Sequence, residues 1–141
     1  MKATDLMIGD WVKIKGHLDY DKVQEIAKDE NMQWYISFAC SATLFRAYEF
    51  EPIPLAPEIL EKNGFEMFKY DGWVHYYRIF GNSAIPFVLH SMIGGEMLSQ
   101  EVDIFSTSTD TNCGIEINYV HELQHALRLC GLNKLAENFK V

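Results

Sequence analysis

A chain of 141 residues that is 48% hydrophobic and 13% aromatic has the apolar material for one compact domain, or for two very small ones sharing a core, and is too apolar for a disordered chain. The formal net charge is −8 and is evenly spread, with six basic and nine acidic side chains in residues 1–56 and six and eleven in residues 57–141. Neither half offers the basic face on which sequence-independent nucleic-acid binding rests.

No apolar run approaches the roughly 18–20 residues of a membrane span, and MKATDLMIGDW has neither the apolar core nor the cleavage site of a signal peptide. Cys40, Cys113 and Cys130 are odd in number, far apart and without a CxxC spacing. They read as buried reduced thiols in a cytoplasmic protein.

Taken in chain order, residues 5–56 read as all-β. In WVKIKG, Val12 and Ile14 share one face and Lys13 and Lys15 the other, the period-2 pattern of a half-buried strand after a Gly9-Asp10 turn. YDKVQEIAKD is a second strand in which Val23 and Ile26 are three apart, so a bulge is needed to bring both inward. QWYISFAC alternates with Trp34, Ile36 and Phe38 on one side, DENM (29–32) supplies the hairpin connection, and ATLFRAYEF a fourth strand. Several short strands in this span predict a small SH3-like β-barrel over residues 1–56.

Pro52 and Pro54 then hold the chain extended, Pro57 fits a first helical turn, and Asn63-Gly64 closes a helix of about two turns. Residues 65–118 return to β: FEMFKY and WVHYYRIF around an Asp71-Gly72 hairpin turn, then AIPFVLH, EVDIF and GIEIN. The C-terminus is helical, with Asn118 as N-cap, Gly131 at the C′ position, Leu132 placed against Leu127, and a last short helix carrying Leu135, Ala136 and Phe139. The fold predicted is α+β. An SH3-like barrel precedes a second region, 57–141, in which a linking helix leads to an antiparallel sheet and the closing helix lays Val120, Leu123 and Leu127 on that sheet.

The closing helix spells His121-Glu122-Leu123-Gln124-His125, an H-E-x-x-H. Two histidines one turn apart can share a Zn²⁺ while the intervening Glu acts as general base on the metal-bound water. Against this, no third ligand follows. The metzincin spacing puts Gly131 where a histidine is needed and Arg128 where a glycine is needed, so a third ligand has to come from His75, His90 or an acid in 101–110. At about 100° per residue His121, His125 and Arg128 lie opposite the apolar side, facing water or a shallow groove. The balance is against an enzyme, against zinc or any other cofactor, and for a docking helix; Glu122 is catalytic only if the zinc reading holds.

Other motifs carry less. There is no G-x-S-x-G, Cys113 lies among acids, and Ile93-Gly94-Gly95-Glu96 is a turn rather than a phosphate loop. Trp73, Tyr76 and Tyr77 alternate along one strand, so some rings must point outward. With Trp11 they are the candidate binding residues, and without basic surroundings they suit a protein partner or self-association rather than nucleic acid. A stripe of Lys13, Lys15, Lys22 and Lys28 is what a nucleic-acid-associated accessory role would need.

Three landmarks, DLMIGDWV at 5–12, PIPLAPEILEKNGFE at 52–66 and YVHELQHALRL at 119–129, resemble short uncharacterised proteins encoded by gut Bacteroidetes and their phages or prophages. Here Ala56 stands where that group has Thr, and residues 67–114 carry no part of the resemblance. The group has no established activity, so the resemblance implies no functional residues. It implies a phage- or prophage-related origin, and a closing helix that need not keep the Glu and second His.

Overall fold

The computed structural model describes the backbone of residues 2–38, 41–46, 49–70, 73–79, 86–91, 100–104 and 114–141, and their side chains except at 41–43, 70, 73–75, 77, 79, 86–91, 100–104 and 114–116. The fold is α+β, and the chain divides into two compact units. The first comprises Met1–Pro54, Tyr119–Phe139 and Val141, and the second Leu55–Asn118 and Lys140.

In the first unit a short 3-10 turn, Ala3–Asp5, precedes β1 (Trp11–Ile14), β2 (Tyr20–Lys28), β3 (Trp34–Phe38), β4 (Ser41–Arg46) and β5 (Phe50–Glu51). The strands form one antiparallel sheet in the order β4-β3-β2-β1-β5. Among the described residues the edge strands β4 and β5 share no ladder, so the sheet is open and the closed barrel expected for 1–56 is not formed. Among the described residues the two-residue β5 pairs with Lys13 and Ile14 of β1 and is too short to bridge further.

The register of β2 against β3 shifts between Val23 and Glu25, the bulge that the three-residue spacing of Val23 and Ile26 demands. At the β2–β3 turn, Asp29 Oδ1 accepts the N–H groups of Asn31 and Gln33 at 2.9 Å each, an Asx turn that fixes the hairpin. Val12, Ile14, Val23, Ile36, Phe38 and Phe50 form the core with Ala3 and Leu6, and Ile26 and Phe45 pack on it. Phe38 sits at its centre, with its ring centroid 5.3 Å from Phe45 and 6.4 Å from Phe50.

Two helices complete this unit: α2 (Val120–Leu129), packed on β1, and α3 (Asn133–Glu137), packed on α2. Gly131, at φ +77°, takes the left-handed C′ position after α2. Leu132 N–H then bonds Leu127 C=O at 2.8 Å and Gly131 N–H bonds Arg128 C=O at 3.0 Å, the Schellman closure read from the sequence. The closing helix thus belongs with the N-terminal strands, whereas its apolar face alone suggested the second sheet. Hydrogen bonds from its polar side, which periodicity does not register, fix its position.

The second unit holds α1 (Pro57–Lys62) and an antiparallel meander of β6 (Glu66–Tyr70), β7 (Trp73–Ile79), β8 (Pro86–Ser91), β9 (Gln100–Ile104) and β10 (Gly114–Ile117), in the order β10-β9-β8-β7-β6. Tyr70 faces Trp73 in the β6–β7 hairpin, and the Asp71-Gly72 turn between them lies outside the described residues. Buried Asn63 donates to Ile59 C=O and Lys140 C=O at 2.7 Å each and accepts Lys140 N–H at 2.9 Å, which ties Lys140 to the end of α1. Among the described residues no helix is long and apolar enough to cross a membrane.

Candidate functional site

The polar side of α2 is not a solvated face. It is covered by residues 7–11, the IGDW segment between the 3-10 turn and β1. Asp10 N–H bonds Met7 C=O at 3.1 Å, closing a turn whose third residue, Gly9, has φ +87°. Backbone in that region strains any residue with a Cβ. A Cβ on Gly9 would also lie 3.3 Å from Arg128 Nη2.

Asp10 is fully buried. Its Oδ2 accepts Met7 N–H at 2.7 Å and His125 Nε2–H at 2.6 Å. Its Oδ1 accepts Arg128 Nη1–H at 2.6 Å, and Arg128 Nη2 also donates to Ile8 C=O at 3.2 Å. A buried carboxylate with no partners would be costly; here three donors surround it.

Gln124, one residue before His125, is also fully buried. Its Oε1 accepts Trp11 N–H at 2.9 Å, and its Nε2 donates to Gly9 C=O at 3.0 Å and Ala136 C=O at 2.8 Å. One side chain therefore joins the IGDW turn, α2 and α3, and it uses both its amide functions to do so. Sequence reasoning passed over Gln124 and Asp10. The available signal was a polar residue at i+4 from Val120 and i−3 from Leu127, on the border between the polar face and the apolar arc, where a buried amide must find internal partners.

His121 is 5% exposed and borders an open depression rather than bulk water. Its ring stacks on Tyr119 (centroids 5.9 Å, planes 16° apart) and meets His125 edge-on at 5.8 Å. Among the described residues Nδ1 has no hydrogen-bond partner. Burial holds this imidazole below the ordinary histidine value, against the opposing pull of Glu122, Asp10 and Asp5. Glu122 Oε2 accepts Tyr119 N–H at 3.1 Å, capping the first turn of α2. Beside it, Asp5, Pro52, Tyr119, His121 and Glu122 line an open depression of about 250 Å³.

The H-E-x-x-H residues are thus together on one helix but differently employed. His125 is spent on Asp10, and among the described residues no group of three His, Cys, Asp or Glu side chains is arranged to hold a metal ion. The side chains of His75, His90 and the acids at 101–110 lie outside the described part.

Of the aromatic candidates, Trp11 is half-buried. Its Nε1–H donates to Phe139 C=O at 2.7 Å, and Lys22 Nζ sits 5.1 Å from its ring centroid while donating to Glu137 C=O at 2.5 Å. Trp11 is therefore part of the attachment of α3. Tyr76 is 6% exposed rather than outward-facing, and its burial, followed by the nearby Glu61 and Glu58, raises its phenol above the ordinary value. The side chains of Trp73 and Tyr77 on β7 lie outside the described part, as do Cys40 and Cys113; Cys130 is half-buried. Of the lysine stripe, Lys22 is committed to Trp11 and Glu137, and Lys28 lies over Trp34, 4.7 Å from the ring centroid.

Ile53 C=O accepts Val120 N–H at 2.9 Å and Pro54 forms a bridge with Tyr119. The opening, central and closing landmarks of the sequence therefore meet around the start of α2. No family model matches this chain, and no curated protein or solved structure matches it either.

Proposed function

We propose that the chain is a non-enzymatic binding module that docks a protein partner through the His121/Glu122 end of α2. The observation that carries this reading is the employment of H-E-x-x-H: His125 and the intervening Gln124 hold the IGDW turn, which leaves only the His121/Glu122 end bordering a depression. Zinc hydrolysis needs both imidazoles turned to one ion with an open coordination position. Here that would require breaking the His125–Asp10 contact and leaving a buried carboxylate short of a donor.

The strand order β4-β3-β2-β1-β5, with a short last strand returning to β1, supports an SH3-like kinship for the first unit, a fold type that commonly serves recognition. The resemblance of the three landmarks to phage- and prophage-encoded proteins favours an accessory role in the cytoplasm.

Two measurements test the reading. Protein purified without chelator is expected to carry no stoichiometric zinc and to melt at the same temperature when zinc is added; near-stoichiometric zinc that disappears in His121→Ala would contradict it. A photo-crosslinking residue at Tyr119 is expected to capture a discrete protein adduct in cells of the native host, and a chain that stays uncoupled there would count against the assigned face.

A further inference from the structure

We propose that β6, the outer strand of the second sheet, pairs antiparallel with β6 of a second copy of this chain about a two-fold axis at Phe68. This goes beyond the binding reading above and does not rest on it.

The first observation is an open strand edge. β6 is last in the order β10-β9-β8-β7-β6, and Glu66, Met67, Phe68 and Lys69 are all exposed. Its ladder with β7 runs from Glu66↔Tyr77 to Tyr70↔Trp73 without a register shift. Edge strands are usually protected by proline, a bulge or charge. β6 has no proline and no bulge, and its Glu66 and Lys69 cancel within a chain of net charge −8. Met67 and Phe68, on opposite faces of the strand, are 48% and 40% exposed.

The backbone decides which groups face outward. Two residues separate Tyr70 from Trp73, so these form a hydrogen-bonded pair, and the pairing alternates along the strand. Tyr70, Phe68 and Glu66 turn their N–H and C=O groups toward β7, whereas Lys69, Met67 and Phe65 turn theirs away. Phe65 N–H accordingly donates to Leu60 C=O in α1, at 3.1 Å. The N–H and C=O of Met67 and Lys69 remain along the edge.

These groups select one register. A two-fold axis normal to the sheet preserves its faces, so it must pass through a facing pair of identical residues. An axis at Met67 sets Lys69 opposite Phe65, whose N–H is already committed. An axis at Lys69 sets two lysines directly opposite, which is destabilising. An axis at Phe68 sets Met67 opposite Lys69 of the second copy, twice over, and pairs every outward N–H and C=O of both residues. Phe68 then faces its own copy in a non-hydrogen-bonded pair, where side chains come closest and an aromatic pair is stabilising. The strand is its own complement, which commits the edge to a second copy. A strand of five residues buries too little for an obligate interface, so the dimer is weak and reversible.

The test is sedimentation velocity on the full chain, under reducing conditions, over a concentration series. A reversible monomer–dimer equilibrium is expected. Met67→Pro and Lys69→Pro each remove one outward N–H and spare the β7 ladder, since an edge strand accepts proline on its outer side. Each should weaken association at least tenfold, with the circular dichroism spectrum and melting temperature unchanged. Phe68→Cys places thiols at the axis, in a pair whose Cα atoms approach to about 4.5 Å, within disulfide reach. On oxidation it should yield a covalent dimer that peptide mapping links at residue 68. Met67→Cys lies diagonally about 7–8 Å from its own copy and should not crosslink.

A chain that stays monomeric at every concentration overturns the inference and leaves the edge to a strand from another protein. Association untouched by both proline variants also overturns it, since the copies would then meet elsewhere. So does a crosslink that forms at residue 67 and not at 68, which would mean another register.

Discussion

Replacing Gln124 by Leu removes one acceptor and one donor from the centre of the first unit while nearly preserving volume. Trp11 N–H loses its partner outright, Gly9 C=O loses a donor, and Ala136 C=O loses one but retains a long contact from Phe139 N–H at 3.5 Å. An orphaned buried group costs about 1–3 kcal/mol. With one full loss, two partial losses, and a gain of about 1 kcal/mol from the more apolar side chain, the expected destabilisation is about 3 kcal/mol. That is a large part of the roughly 5–15 kcal/mol that stabilises a typical domain. In urea, with a slope of about 1.5 kcal/mol/M, the midpoint should fall by about 2 M with the slope unchanged. Leu129→Gln on the same helix, where the side chain is 79% exposed, should stay within about 0.5 kcal/mol of the parent. A Gln124→Leu shift no larger than this control would refute the view that the amide fastens the helix to the IGDW turn.

Arg128→Met leaves buried Asp10 with Met7 N–H and His125 only, and should cost about 3 kcal/mol by chemical denaturation; a neutral outcome would mean the pair contributes nothing. Gly9→Ala forces a Cβ into the left-handed region and toward Arg128, and should cost about 1–2 kcal/mol in thermal melts. His121 has a folded-state pKa below its unfolded value, so the unfolded chain takes up the proton first as pH falls. Its contribution is therefore complete above about pH 6.5 and is lost progressively below that. His121→Phe should flatten the loss of stability between pH 7 and 5 relative to the parent, and an unchanged slope would contradict the assignment.

Features set by neighbours a few residues away were legible in the sequence. The bulge between Val23 and Glu25, Pro57 at the first turn of α1, and the closure of α2 at Gly131 each follow from local geometry. The barrel expectation needed closure between β4 and β5, a long-range property that strand patterning does not contain. The placement of α2 went astray for a related reason. Periodicity ranks faces by apolarity, and the polar face here is buried by partners more than 110 residues away: Asp10 for His125 and Arg128, Trp11 and Gly9 for Gln124. The H-E-x-x-H spelling was correctly placed on a helix, but its fate depended on Asp10, which looked like an ordinary turn residue.

The most direct measurement is a long-range ¹H–¹⁵N spectrum of the histidine rings, recorded on metal-free protein and again with one equivalent of zinc. If the helix is wired to the IGDW turn, His125 Nε2 appears protonated and hydrogen-bonded, and neither imidazole moves with zinc. Both imidazoles shifting together at one equivalent would show a shared metal ion, and H-E-x-x-H would then be a metal site after all.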